Sequence, residues 1–324
     1  MTFIASVIAK KGVALIADSL VTQEMAILSY HSFIEYLENA PKNDAGEATL
    51  NADDITNLFS SHPMFTRDYE EKLFKLTKFI GLTTTGIAYI NDKNISEIVE
   101  NFKNLESSDI KNDGIDFETR LKQFSKFLNE EVRGHLGKYN RIGFCSFIAT
   151  HYAPPTHITT IYKVIVNPAS VVELGNEAHD FVTLQKQEEW AKVVCDGQNK
   201  ISENVLYGSG KTFYDNFPNV VKHILTKANV DSSLLPKTFL ADLINDPFFE
   251  PMFYGDVEIT NLSELSVQQA VDLASLLMRL EVDFQKYTRT MPTVGGVIKL
   301  AVIDEKGFRV IQGDTIESPK HIHL

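Results

Sequence analysis

The 324-residue chain is poor in cysteine and tryptophan, and it carries no excess of positive charge. Two cysteines, Cys145 and Cys195, build neither a disulfide framework nor a Cys-rich zinc site. Each sits in an apolar stretch, FCSFI and VVCDG, where a reduced, buried thiol is expected. No apolar run reaches the roughly 18 residues that a spanning helix needs. The opening MTFIASVIAKKG lacks a basic segment followed by a long apolar one, so no secretory leader is expected. A cytoplasmic location is the expectation. With 31 Lys/Arg against 43 Asp/Glu, the net charge of −12 argues against nucleic acid or an anionic membrane as the main partner. His62, His151, His157 and His179 are scattered, and the terminal pair His321 and His323 lacks further ligands, so no metal is expected. The lone Trp190, beside Glu188 and Glu189, reads as a surface anchor. Gly210-Lys211-Thr212 suggests a phosphate loop, but the glycine that motif requires five residues earlier is Val205. No cofactor is expected.

What is present reads as a folded protein, with 44% hydrophobic and 23% charged residues. TFIASVIA, the turn Lys10-Lys11-Gly12 and VALIADS predict a strand pair. KLFKL and FIGLTTTG predict a second pair across Thr77-Lys78. A helix is expected near residues 91–102. A stronger one follows Asp116, with Phe117, Leu121, Phe124, Leu128 and Val132 on one face. RIGFCSFIATHY and HITTIYKVIVN form another predicted pair around Pro154-Pro155. NVLYGSGKTFYDNF reads as strand, glycine turn, helix. Ser266 to about Tyr287 is a predicted helix, and VGGVIKLAVID with FRVIQ closes the chain as a hairpin. Stretches at about 23–68, 168–200 and 227–262 look inserted into a single domain spanning 1–324. This order predicts an α+β fold with antiparallel sheets.

Four of these segments resemble the proteasome-type N-terminal nucleophile (Ntn) hydrolases. TFIASVIAKKGVALIADSLVT is similar to the family's opening Thr, hairpin and Ala-Asp-Ser motif. KLFKLTKFIGLTTTGIA, GSGKTF and VGGVIKLAVI are similar to its Lys-bearing hairpin, its Gly-Ser-Gly turn and its closing Gly-Gly strand. The resemblance implies a four-layer αββα sandwich. It also implies Thr2 as nucleophile, Asp18 and Lys72 as charge partners, Gly86 as supplier of an oxyanion amide, and Ser209 near the nucleophile's amine. The implied activity is a proteasome-like threonine peptidase acting on peptides or proteins. A catalytically inactive structural subunit and a small-molecule amidase on the same fold are the alternatives. Homo-oligomers, a ring among them, and an unfolding ATPase partner are implied as well.

The chemistry suits the residues. A threonine hydroxyl is a poor nucleophile until a base takes its proton. If Met1 is removed, the α-amine of Thr2 is that base, with a reference pKa of about 7.7–8.0. Removal of an initiator methionine generally requires a small second residue, and Thr2 meets that condition. A lysine nearby lowers the pKa of both amine and hydroxyl, and a buried lysine needs a carboxylate such as Asp18. Two positions depart from the family pattern: Met291 stands where an acid is usual, and Val294 where a serine is. Thr290 or Thr293 would have to substitute.

Overall fold

A computed structural model describes residues 2–43, 46, 48–49, 51–67, 70–105, 116–175, 179–188, 192–207, 211–230, 236, 238–244, 262–288 and 292–311. In chain order, β1 (Phe3–Ala9), β2 (Gly12–Ala17) and β3 (Val21–Leu28) lead into α1 (Tyr30–Asn39), α2 (Ala52–Asn57) and β4 (Phe59–Arg67). Next come β5 (Leu73–Lys75), β6 (Ile80–Gly86), the short β7 (Tyr89–Ile90) and β8 (Lys93–Asn94), α3 (Ile95–Asn104) and α4 (Phe117–Leu136). Strands β9 (Arg141–Ile142), β10 (Cys145–Ala153), β11 (Ile158–Val166), β12 (Ala169–Ser170), β13 (Val182–Lys186) and β14 (Val193–Gly197) follow. The chain continues through α5 (Lys200–Tyr207), α6 (Lys211–Lys227), α7 (Phe239–Ile244) and α8 (Val267–Phe284), then β15 (Lys299–Asp304) and β16 (Gly307–Val310).

The strands assemble into two five-stranded antiparallel sheets, β14-β1-β2-β15-β16 and β13-β11-β10-β6-β5. Three small antiparallel pairs accompany them. The fold is therefore mixed α+β with antiparallel sheets. Among the described residues, no helix is long and apolar enough to cross a membrane.

Period-two alternation decides which face each side chain joins. Along β1, Phe3, Ala5, Val7 and Ala9 pack with α8 residues such as Ala274, Leu277 and Met278. Their neighbour Ile4 turns the other way, into a cluster with Leu15, Leu73, Ile148, Tyr152 and Ile161 drawn from both sheets. The opposite face of the second sheet, with Leu82, Phe147 and Val164, packs on Phe124 and Leu128 of α4 and Ile98 and Val99 of α3. Strands β1 and β2 bury both faces, which is why their sequences run almost unbroken in apolar residues.

Local chemistry sets the helix ends. Asp116 accepts from Thr119 N at 3.1 Å and starts α4 where the sequence places it. Ser266 and Gln269 form a reciprocal capping box at the start of α8. The helix expected at 91–102 begins at Ile95, because Asn94 and Glu97 form a capping box there.

One expectation needs correction. The segment beginning Asn204-Val205-Leu206-Tyr207 is the end of helix α5 rather than a strand. Residues 168–200 supply β13 to one large sheet and β14 to the other. Residues 23–68 form mainly the β3–β4 pair and helices α1 and α2, and β3 and β4 lie outside both large sheets. Most of 227–262 lies outside the described residues.

Candidate functional site

Thr2, Asp18 and Lys72 converge because three strand ends meet. Thr2 directly precedes β1, Asp18 directly follows β2, and Lys72 directly precedes β5. The β1–β2 hairpin places Asp18 beside the start of β1: Asp18 N donates to Phe3 O, and Phe3 N donates to Asp18 Oδ1, each at 3.3 Å. Lys72 arrives from the other sheet, its carbonyl held by Thr84 N at 3.0 Å.

The Lys72 ammonium then spends its three donors. It donates to Thr2 Oγ1 at 2.7 Å, to Asp18 Oδ1 at 3.0 Å and to Leu20 O at 2.5 Å. The three residues are 3%, 1% and 7% exposed for Thr2, Asp18 and Lys72. Asp18 Oδ2 accepts from Gly295 N at 3.1 Å. Among the described residues, each partner of the carboxylate is thus a donor, an arrangement suited to an ionised acid. Burial pushes the Asp18 carboxyl above its ordinary pKa, while Lys72 and the amides pull it down. Burial pushes the Lys72 ammonium below its ordinary pKa, and Asp18 opposes that. Because Lys72 occupies a lone pair of the Thr2 hydroxyl, that hydroxyl's own proton is left to another acceptor.

The group opens onto a cavity of about 900 Å³. Its lining includes Leu20, Glu70, Gly86, Tyr89, Phe144 and Asp196. Gly86, expected as an oxyanion donor, therefore shares the cavity with Thr2. Its φ is +103°, and a Cβ there would lie 2.2 Å from Phe144 O, so only glycine fits. Ser209, the fifth expected residue, lies outside the described residues, as do Thr290 and Met291.

A turn that sequence reasoning did not single out lies beside Thr2. It follows β14, at Asp196-Gly197-Gln198. Gln198 N donates to Thr2 O at 2.6 Å. Asp196 accepts from Ser146 Oγ at 2.9 Å and from Lys163 Nζ at 3.1 Å. Its other oxygen accepts from Gly197 N at 2.7 Å. Sequence reasoning passed over Asp196, Gly197, Gln198 and Lys163. The signal for the first three was VVCDG, a short apolar run ending in Asp-Gly, which parallels the run ending at Asp18; Lys163, on β11, gave none.

Gly197 is irreplaceable on steric grounds. Its φ is +86°, and a Cβ would sit 1.9 Å from Thr2 O and 2.8 Å from Thr85 Oγ1. Gly197→Ala should cost about 1–2 kcal/mol from the backbone conformation alone, and the clash should displace Thr2. The expected outcome is a melting temperature several degrees lower, with chemical labelling of Thr2 reduced by about 10²-fold. Thermal melts and labelling rates check both.

Val294, where the resemblance expects a serine, is 2% exposed and packs in the apolar cluster under α8. Thr293 is polar and buried, and its hydroxyl donates to Gln198 Oε1. Among the described residues, no group of three or more His, Cys, Asp or Glu is placed to hold a metal. No family model and no curated protein matches the chain.

Proposed function

We propose that this chain is a threonine-dependent amide hydrolase, a proteasome-like peptidase, built on a four-layer αββα sandwich. The observation that carries the reading is the Lys72 ammonium, shared between Thr2 Oγ1 at 2.7 Å and Asp18 Oδ1 at 3.0 Å at the wall of a large cavity. Two sheets with a common apolar cluster, each with helices against its other face, support the architecture.

The mechanism requires a Thr2 with a free α-amine, and hence removal of Met1. The neutral amine takes the Thr2 hydroxyl proton as Oγ1 attacks the substrate carbonyl carbon. The Lys72 cation stabilises the developing alkoxide. The proton passes from the amine to the leaving nitrogen, the C–N bond breaks, and an ester on Thr2 remains. Water, deprotonated by the same amine, then cleaves the ester and returns the hydroxyl to Thr2. The Gly86 amide is assigned to the oxyanion, a role worth roughly 3–4 kcal/mol in related chemistry. The cavity volume suits an extended peptide segment, and a homo-oligomer belongs to the same reading.

Protonation sets the pH dependence. Activity should rise with pH as the α-amine loses its proton, below its reference value of about 7.7–8.0 because Lys72 is close. It should fall again as Lys72 loses its proton, at a pH below the ordinary lysine range, since burial lowers that group. A bell-shaped kcat/KM profile is the expected result. A profile still rising through the lysine range would exclude Lys72 as a working cation.

A second reading, an inactive scaffold of the same fold, is favoured by the burial of Val294 in the core. Intact-mass measurement before and after an epoxyketone probe separates the two. The peptidase reading expects a chain that begins at Thr2 and gains one probe mass. A chain that keeps Met1 and gains none establishes the scaffold. A panel of fluorogenic peptides against simple amides distinguishes peptidase from small-molecule amidase.

A further inference from the structure

We propose that Gln285 is the positioning residue of this site: its carboxamide fastens the 293–295 segment, which in turn fixes both the Asp18 carboxylate and the backbone of Thr2. The inference rests on the hydrolase reading for its catalytic consequence, but its geometry stands apart from it.

Gln285 lies one residue past the end of α8, in the turn Gln285–Tyr287, and is 4% exposed. Its side chain is used at both ends. Oε1 accepts from Thr293 N at 2.5 Å and from Val294 N at 3.1 Å. Nε2 donates to Glu281 O at 2.8 Å, with Val294 O at 3.4 Å. A carboxamide that accepts from two successive amides and donates to two carbonyls fixes the segment's position and direction together.

Two branches leave that segment. In the first, Gly295 N donates to Asp18 Oδ2 at 3.1 Å, and Gly295 O accepts from Ser19 N and Leu20 N at 3.1 and 3.0 Å. Leu20 O in turn receives Lys72 Nζ. The loop thereby sets two of the three acceptors around Lys72. In the second, the Thr293 hydroxyl donates to Gln198 Oε1, and Gln198 N donates to Thr2 O at 2.6 Å. One buried amide side chain thus stands behind the nucleophile's carbonyl and the carboxylate that orients its cation. This network occupies the region where the family resemblance leads one to expect a serine at Val294.

The test pairs a titration with a labelling rate. In ¹³C-carboxyl aspartate-labelled protein, the Asp18 resonance, assigned by its absence in Asp18→Asn, is followed against pH. The same protein is exposed to an epoxyketone probe. Gln285→Met removes the carboxamide at nearly constant volume. The expected result is an Asp18 titration shifted upward by about one pH unit, since an amide donor to the carboxylate is loosened. Thr2 labelling should fall by about tenfold. An Asp18 titration and a labelling rate both equal to wild type would overturn the proposal. If Gln285→Met does not fold, Gln285→Asn, which retracts the same carboxamide by one methylene, carries the same expectation and the same refutation. Thr293→Val should slow labelling severalfold while leaving the Asp18 titration in place; unchanged labelling would overturn the second branch. Wild type that never labels would sink the hydrolase reading alone, because the titration needs no turnover.

Discussion

Thr2→Ala should abolish both peptide hydrolysis and epoxyketone labelling, by a factor of at least about 10³, while the protein melts within a few degrees of wild type. The two halves have separate causes. Among the described residues, the Thr2 side chain makes one hydrogen bond, from Lys72 Nζ. Its loss leaves Lys72 with Asp18 Oδ1 and Leu20 O, so the ion pair keeps its geometry. Removing one acceptor from a buried ammonium costs about 1–3 kcal/mol, and a water in the vacated hydroxyl position recovers part of that. The backbone of Thr2 is unaffected, because Gln198 N bonds its carbonyl and not its side chain. The proposed catalysis has no such reserve, since among the described residues no other hydroxyl lies on Lys72. Intact-mass spectra, a peptide assay and a thermal melt give the result directly. Turnover that persists in the variant would remove Thr2 from the chemistry.

Thr2, Asp18 and Lys72 were singled out by the family resemblance, and the strand pattern accounts for their meeting, since each sits at the end of a strand. TFIASVIA and VALIADS flank a two-lysine turn, and that hairpin brings positions 2 and 18 together by register alone. KLFKL needed only a second hairpin, and the two sheets sharing one apolar layer did the rest. The strand β14 was not legible. It is five residues long, follows an irregular stretch, and ends at Gly197, with no motif to mark it. The Gly-Ser-Gly at 208–210 stood out in the sequence; it follows helix α5 and lies outside the described residues. Gln285 gave no signal either. A glutamine near a helix end usually faces water. Here it is buried only because the chain folds back over it at residues 293–295, a contact between segments that periodicity does not encode. Val294, which departs from the pattern the resemblance leads one to expect, falls in that same fold-back, which is where local sequence says least.

Lys72→Met should reduce activity by about 10³-fold or more and should also make stability fall further with rising pH than it does in the wild type. The variant leaves the Asp18 carboxylate 1% exposed with two amide donors and no cation. If Asp18 stayed ionised, the cost would be about 3–5 kcal/mol. It can avoid that by taking up a proton, since burial already pushes its pKa upward even with Lys72 present. The sign follows. A carboxyl whose folded pKa lies above its unfolded value of about 3.9 contributes stability below that value and loses it as pH rises through the folded pKa. Lys72→Met should therefore lie nearest to wild type in acid and fall progressively behind it toward neutral and alkaline pH. Asp18→Asn combined with Lys72→Met removes the titrating group, so the double variant should recover most of the lost stability at neutral pH and none of the activity. That non-additivity, positive in melting temperature and absent in turnover, separates the structural part of the ion pair from its catalytic part. Melts of the four proteins across pH, beside probe-labelling rates, measure both. A Lys72→Met variant whose deficit is flat across pH would mean that Asp18 draws its compensation from its amide donors and not from Lys72. The cation would then be held at Thr2 for the hydroxyl alone.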